Sequence, residues 1–312
     1  MCSSDLAGST FKPIVYAAAL DNGYTPWQEV VDTPVTFKVY GRSSTWTPRN
    51  WSRRFTGQKM TLRQAMARSV NSITAYLMKQ LGPQLVVDYA KRLGIKSPLQ
   101  PVPALCLGAA DMSVYELVGA YSTFMNKGVW TAPFYITRIE DKDGRVLKEF
   151  TPQKREAVSE KTAYLMIHML KGTTEESGGT SRGINAAIRE DNEICGKTGT
   201  TSNQSDGWFV GMAKDLCAGV WVGGEDRCIH FRTLREGSGA KMARPIWEKF
   251  MLNVYQDPEL PYDKGPLLPY DKPADLVIPS EDLPSPQETE LIPEEDAEED
   301  ALDTNIDTND IF

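Results

Sequence analysis

Residues 11–20 (FKPIVYAAAL) are apolar almost without interruption, and a helix with so little polar face belongs in an interior. Pro13 has no N–H and fits only a first helical turn, so this helix is predicted to start near Ser9 or Thr10. Residues 21–60 lose the rhythm. They carry Pro26, Pro34, Gly41, Pro48 and Gly57 and read as loop, with one strand-like run at 35–40. Thr61-Leu-Arg-Gln64 has the form of a capping box and opens a helix through Ala67. Helices at 73–81 and about 84–93 follow, stopped by Gly82-Pro83 and by Gly94. Asp111 reads as the N-cap of a helix over 112–125. Residues 130–151 alternate about Asp143-Gly144, as a hairpin should. A helix over 161–170 ends at Gly172, and a Gly/Ser/Thr-rich loop covers 172–193. Three strand-like runs come next, 194–201, 207–213 and 218–223, then a last helix from about 243 to 254.

Composition adds a tail. Hydrophobic residues make up 41% and charged residues 24%, so a true core is expected. Residues 256–312 are rich in Pro, Asp and Glu, have no periodicity and are predicted to be disordered. They hold eighteen acids against two lysines, a net of −16, which leaves +8 on residues 1–255 of a chain whose net charge is −8. A basic body suits an anionic polymer or an anionic membrane face. It equally suits an ordinary solvated surface, since Lys and Arg form no dense run. No apolar run reaches the roughly 18–20 residues of a membrane helix. The start, MCSSDLAG, lacks the regions of a signal peptide. The five cysteines (2, 106, 195, 217, 228) form no CxxC pair, and with two histidines they give no zinc spacing. No metal and no cofactor are expected.

Three short motifs carry the chemistry. Ser9-Thr-Phe-Lys12 stands at the start of the first helix, Ser69-Val-Asn71 between two helices, and Lys197-Thr-Gly-Thr200 on a strand. Residues i and i+3 share a helix face, so Lys12 can lie beside the Ser9 hydroxyl. That hydroxyl is a poor nucleophile until a base takes its proton. Lysine, with an ordinary pKa of about 10.4, can be that base only if burial or a nearby cation lowers it, and Lys197 is a candidate cation. Asn71 can hold both Lys12 and a substrate amide, and Ser69 can relay a proton to a leaving amine. Thr198 and Thr200 can hold a carboxylate through their hydroxyls, while the strand edge pairs with an extended peptide. Taken singly, Ser69 reads as a helix-end residue, Asn71 as a cap, and Lys197 and Thr198 as an edge-strand pair. A second S-x-x-K, Ser238-Gly-Ala-Lys241, falls in a Gly-rich stretch and is not expected between a sheet and a buried helix. A Ser-His-Asp triad is not favoured, because neither histidine has a motif around it and His168 reads as a core histidine. Trp208, Phe209 and Trp221 read as core; Trp46 and Trp51 sit in a polar loop where they could line a groove.

In this order the motifs resemble the SxxK, SxN and KTG set of serine penicillin-binding proteins and serine β-lactamases. The likeness extends to Gly8-Ser-Thr-Phe-Lys-Pro13, Val31-Asp-Thr-Pro34, Trp46-Thr-Pro48, Thr61-Leu-Arg63, Gly179-Thr-Ser-Arg182, Lys197-Thr-Gly-Thr-Thr201 and Asp206-Gly-Trp-Phe-Val-Gly211. The whole is similar to the transpeptidase domain of bifunctional (class A) penicillin-binding proteins. That resemblance implies an α+β fold with an antiparallel central sheet flanked by helices on both faces. It implies a groove beside the KTG strand, with Trp46, Thr198, Gly199 and Thr200 binding substrate. Ser9 would be acylated by a D-Ala-D-Ala stem peptide, with Lys12, Ser69, Asn71 and Lys197 as its catalytic partners. The N–H groups of Ser9 and Thr200 would form the oxyanion hole. Transfer to a neighbouring stem amine would cross-link peptidoglycan, and β-lactams would trap the acyl-enzyme. The resemblance further implies a periplasmic or extracytoplasmic location, with membrane attachment only through an upstream anchor, and no nucleic-acid partner.

The resemblance covers about residues 8–253, so 1–7 is expected to lie outside the family, 8–255 to be a transpeptidase domain lacking its first strands, and 256–312 to be tail. A β-lactamase is the alternative, but no E-x-x-L-N context occurs between Asn71 and Lys197, and Tyr40-Gly-Arg42 matches Y-G-N poorly. A non-catalytic β-lactam sensor or scaffold is the other.

Overall fold

The structure is a computed structural model that describes residues 5–38, 44–201, 203–268, 272–274 and 276–278. The chain enters through β1 (Asp5–Leu6), makes a 3-10 turn over Gly8–Phe11 and continues into α1 (Lys12–Asp21). Every residue of α1 except Asp21 is buried, as its unbroken apolar run predicts. Asp21 pins the far end of the helix by accepting from Tyr89 Oη at 2.6 Å and Thr162 Oγ1 at 2.7 Å. Two small ladders follow: β2 (Glu29–Val31) pairs with β5 (Lys59–Thr61), and β3 (Phe37–Lys38) pairs with β4 (Thr45–Trp46). Only part of the strand predicted at 35–40 is realised, and Tyr40, Gly41 and Arg42 lie outside the described residues.

Thr61 and Gln64 form the expected capping box on α2 (Leu62–Ala67). Next come α3 (Asn71–Leu81), α4 (Pro83–Arg92), a 3-10 turn at Pro103–Leu107, β6 (Asp111–Met112) and α5 (Val114–Met125). Asp111 is therefore not the cap of α5. It pairs with Leu6, and Ser113 caps the helix in a reciprocal box with Glu116. The S-x-x-E spacing satisfies two free N–H groups at once, where Asp111 would have satisfied one. The region after α5 forms β7 (Val129–Thr131), an exposed hairpin of β8 (Arg138–Glu140) and β9 (Val146–Glu149), and β10 (Lys154–Glu156), which pairs back with β7.

Helix α6 (Glu160–Glu175) runs past Gly172 rather than ending there. A side chain at 172 would meet Arg63 Cγ at 3.2 Å, so glycine marks where α2 crosses α6 and not a helix stop. The loop that follows contains a short α7 (Ala186–Arg189). Then β11 (Cys195–Thr200), β12 (Asp206–Ala213) and β13 (Leu216–Gly223) form an antiparallel sheet in the order β11-β12-β13. The last elements are α8 (Leu234–Gly237) and α9 (Gly239–Gln256). Pro245 suggests a later start for α9, but its backbone is helical from Gly239, where a Cβ would fall 2.3 Å from Gly199 O.

Period-two alternation sorts β12 between two cores. Trp208, Val210 and Met212 join the large cluster built on α1, α3, α5 and α6. Phe209 and Ala213 join a second cluster with Ala243, Trp247 and Met251 of α9. Phe209 meets Trp247 edge-on at 5.2 Å, and a side chain on Gly211 would strike the same indole at 2.4 Å. Helices thus cover both faces of an antiparallel sheet, and the fold is α+β. One boundary needs correction. The fold does not stop at residue 255, because Leu267 (0% exposed) and Leu276 (3%) are buried in the large cluster. Residues 279–312, the rest of the predicted tail, lie outside the described residues.

Candidate active site

Ser9 sits in the 3-10 turn, not in the first turn of the α-helix, and Lys12 N donates to Ser9 O to close that turn. A 3-10 turn has three residues, so positions 9 and 12 eclipse more closely than they would in an α-helix. The Lys12 side chain is fully buried. Its Nζ donates to Ser69 O at 2.6 Å and Asn71 Oδ1 at 2.6 Å, and lies 3.2 Å from Ser69 Oγ. Lys197, also fully buried, reaches the same hydroxyl: its Nζ donates to Ser69 Oγ at 2.8 Å and Thr198 O at 3.1 Å. Ser9 Oγ makes no hydrogen bond among the described residues.

The two lysines are perturbed as buried cations should be. Burial first, and Lys197 second, hold Lys12 well below the ordinary lysine value. Burial alone lowers Lys197 to about 7. A neutral Lys12 has two hydrogens and one lone pair. Ser69 O and Asn71 Oδ1 take the hydrogens, and the lone pair is left for a hydroxyl proton. Cys106, whose thiol burial pushes up to about 12, lies near enough to Lys12 to act on it electrostatically.

Ser69 holds a left-handed backbone (φ 57°), uncommon for a side-chain-bearing residue. It is the hinge between α2 and α3. Ser69 N donates to Met66 O at 3.1 Å and Val70 N to Ala65 O at 2.9 Å, which ends α2 and frees Asn71 to begin α3. The hinge is braced from outside. Thr180 N donates to Ala67 O at 3.1 Å, and Arg68 Nε to Ser177 O at 3.0 Å. Arg63 is buried against the carboxylates of Glu175 and Glu176 and donates to His168 O at 3.2 Å.

Three backbones meet behind the serine. Gly8 has φ +54°, and a Cβ there would lie 3.0 Å from Thr200 O and 3.3 Å from Thr200 N. A Cβ on Gly108 (φ +76°) would lie 2.1 Å from Gly8 O and 2.6 Å from Gly8 N. Gly8 N donates to Gly108 O and Ala7 N to Ala110 O, both at 3.3 Å, extending the β1–β6 ladder up to the serine. On the other side, Thr201 N donates to Asp206 O at 3.2 Å. Bonded and non-bonded pairs alternate along an antiparallel ladder, so Thr200, opposite Gly207, turns its N–H away from β12 and toward Gly8. Thr200 Oγ1 accepts from Gly239 N at 3.0 Å and keeps its own proton for a ligand. Gly199 has no room for a side chain, since a Cβ would lie 2.7 Å from Ala7 O. Thr198 is nearly buried on the same strand.

Trp46, expected to bind substrate, is half-buried on β4. Its ring packs on Phe37 at 5.7 Å, and its link to the site runs through the next turn, where Arg49 O accepts from Asn71 Nδ2 at 2.7 Å. Ser238 does open a helix packed on the sheet, contrary to expectation, but Lys241 is exposed and forms no buried pair with it. The sequence reading missed the Gly108 wedge and the role of Asp32. Asp32 is buried and accepts from Ser72 Oγ (2.5 Å), Asn50 Nδ2 (2.7 Å), Thr56 N (2.8 Å) and Thr56 Oγ1 (2.9 Å). Burial alone would raise its carboxyl, but these bonds outweigh it and hold the group below the usual carboxylate range. The only signals were a glycine after an apolar run and an aspartate in a proline-flanked loop, both commonplace.

Comparison with known proteins agrees with the geometry. Residues 1–224 match the penicillin binding protein transpeptidase domain family. The match takes in residues 1–7, which the motif reading set apart, and stops short of 225–255. Penicillin-binding protein 1A of Aquifex aeolicus is 32% identical over 279 residues, 88% of this chain and 37% of that protein. The 1A protein of Neisseria lactamica is 34% identical over 251 residues, 78% of this chain and 30% of its own length. The chain thus spans about a third of these curated relatives. Among solved structures, penicillin-binding protein 1A from Haemophilus influenzae superposes with a TM-score of 0.73 at 26% identity, covering 84% of this chain and 44% of that one. Penicillin-binding protein A from M. tuberculosis, solved as an imipenem acyl-enzyme complex, gives 0.65 at 21% identity over 82% of this chain and 62% of that one, a likeness of fold. With two buried lysines converging on one serine hydroxyl and a family match over most of its length, the chain belongs to the penicillin-binding protein transpeptidase family.

Proposed function

We propose that this chain is a serine D-Ala-D-Ala transpeptidase acting on peptidoglycan stem peptides and trapped by β-lactams. One observation carries the reading: Lys12 and Lys197, both fully buried, share the Ser69 hydroxyl, and Lys12 stands one 3-10 turn from Ser9, its N–H on Ser9 O. Ser9 Oγ attacks the carbonyl between the two D-alanines and its proton passes to the Lys12 lone pair. Negative charge on the carbonyl oxygen is met by the N–H groups of Ser9 and Thr200. The C–N bond breaks, and the leaving D-alanine amine takes a proton relayed through Ser69 from the lysine pair. An amine of a neighbouring stem then attacks the ester and loses its proton to Lys12; the ester C–O bond breaks, and Lys12 returns a proton to Ser9 Oγ. Asn71 orients Lys12, and Thr198, Gly199 and Thr200 hold the peptide and its terminal carboxylate along the β11 edge. Such chemistry belongs on the extracytoplasmic side of a bacterial inner membrane. No helix among the described residues is long and apolar enough to cross a membrane, so an anchor would lie elsewhere in the protein.

A β-lactamase needs a base that drives water onto the acyl-enzyme. Among the described residues no carboxylate is hydrogen-bonded to Ser9, Lys12, Ser69, Asn71 or Lys197, which favours a long-lived acyl-enzyme. The test is labelling with fluorescent penicillin and mapping of the adduct. Ser9→Ala should abolish labelling and Ser238→Ala should leave it. Labelling that persists in folded Ser9→Ala sinks the assignment, and turnover of the adduct within seconds identifies a β-lactamase instead.

A further inference from the structure

Between Asp32 and Asp88 the chain has no acidic residue and nine Lys or Arg. Arg63 and Arg68 are engaged with α6 and the turn after it. Three others, Arg49, Arg53 and Arg54, cluster on one turn, are exposed, and have no partner for their guanidinium groups among the described residues. The same turn displays Trp51 at 77% exposure, the highest of any tryptophan described. A large exposed indole among unpaired cations calls for an explanation.

The turn is held firmly. Asp32 ties Asn50 to Thr56 and to Ser72 of α3, and Asn50 Nδ2 also donates to Arg54 O at 3.2 Å. Asn50 Oδ1 accepts from the backbone N–H groups of Asn71 and Ser72, at 3.0 and 3.1 Å, and so caps α3. Arg53 takes a left-handed backbone (φ 55°), with its N–H on Asn50 O at 2.9 Å. A buried carboxylate with four hydrogen bonds therefore presents Trp51, Arg53 and Arg54 on a fixed ledge. Through Arg49 O, that ledge is joined directly to Asn71, the residue that holds Lys12.

We propose that Trp51, Arg53 and Arg54 form a docking ledge for the glycan-linked, carboxylate-bearing stem-peptide strand of peptidoglycan. This rests on the transpeptidase reading above. Guanidinium groups pair with stem carboxylates through two parallel N–H bonds, and the indole stacks on the apolar face of a sugar ring. The lack of any acidic residue between Asp32 and Asp88, the stretch that carries the turn, supplies the charge complementarity. The ledge recognises the polymer, while the serine centre acts on its peptide end.

The test uses the 312-residue chain, purified lipid-free glycan strands with uncross-linked stems, and fluorescent penicillin. Arg53→Glu/Arg54→Glu should bind strands roughly tenfold more weakly at low salt, with the difference closing near about 1 M salt, where charges are screened within roughly 3 Å. Trp51→Ala should weaken binding about threefold at every salt concentration, the salt-insensitive part of the contact. Penicillin acylation should stay within about twofold of wild type in all variants, a range of under about 0.5 kcal/mol. Strands with amidated carboxylates should lose the Arg dependence. Equal binding by wild type and the double Glu variant overturns the proposal. So does acylation falling in step with strand binding, which would make the turn a support for the serine centre, and so does preference for anionic phospholipid vesicles over strands. A wild-type chain that binds strands but is never acylated refutes the transpeptidase reading and leaves the ledge standing.

Discussion

A methyl group placed on Gly108 tests whether the oxyanion site is held from behind. In Gly108→Ala the new Cβ would start 2.1 Å from Gly8 O and 2.6 Å from Gly8 N. An unstrained carbon–oxygen contact is about 3.3 Å, so the two backbones must part by roughly 1 Å. Gly8 cannot simply retreat, because its other side already lies against Thr200. The displacement therefore falls on the spacing between the Ser9 and Thr200 amides. Loss of one oxyanion donor costs about 10²–10³ in rate, and that is the expected fall in the acylation rate constant. Non-covalent penicillin affinity should change little, since the Thr198 and Thr200 hydroxyls are untouched. Stability should also fall, by about 1–2 kcal/mol for the left-handed backbone and about 1–3 kcal/mol for overpacking. Gly144→Ala is the matched control: its φ is +79°, but nothing lies within 4 Å of its Cβ. It carries the backbone cost without the collision. Acylation and affinity constants would be separated by following fluorescent penicillin labelling across drug concentration, with thermal melts alongside. If Gly108→Ala acylates within about threefold of Gly144→Ala, a fall of under about 0.7 kcal/mol in transition-state stabilisation, the idea of a wedge behind the oxyanion site is wrong.

Other outcomes follow from the same geometry. Acylation should rise with pH as Lys12 loses its proton, and Lys197→Ala should shift that limb to higher pH, since Lys197 helps to lower Lys12; an unmoved limb would contradict the coupling. Burial, aided by Arg63 and Lys171, lowers His168 from 6.5 to about 4. The unfolded chain therefore binds the extra proton first: stability is whole above pH 6.5 and declines as pH falls to about 4, by about 3 kcal/mol. His168→Gln should flatten that slope in denaturant titrations, and an unchanged slope would rule His168 out. Leu267→Ala should destabilise by about 2–5 kcal/mol, because its side chain is fully buried in the large core; a neutral result would return the segment after α9 to the tail.

Much of this molecule is legible in its sequence because local physics decides it. The apolar run of α1, the capping box of Thr61 and Gln64, and the alternation of β12 each leave a periodic signature. The three motifs were legible too, since Ser9 and Lys12 are neighbours on one turn, and Asn71 begins the helix after Ser69. What the sequence hid depends on distant backbone. Gly108 looks like any helix-ending glycine until Gly8 lies against it. Gly172 looks like a helix stop until Arg63 is seen to need the space. Asp32 gains its importance only when Asn50, Thr56 and Ser72 converge on it. Leu267 and Leu276 were masked by the acidic composition around them, which says little about where single leucines settle.

The shared Ser69 hydroxyl also sets a timetable for synthesis. Its contact with Lys12 spans 57 positions of sequence, but its contact with Lys197 spans 128. At about 5–20 residues per second, a ribosome needs roughly 6–26 s to pass from Ser69 to Lys197. During that interval a nascent chain holds its serine and one lysine without the second cation that helps to lower the first. Burial of the Gly8–Phe11 turn is also incomplete until the β11 strand arrives. On the transpeptidase reading proposed above, Ser9 should therefore stay unreactive while the chain is still emerging and become acylable only when the last strands close. Penicillin labelling of chains arrested at increasing lengths would read out that closing step directly.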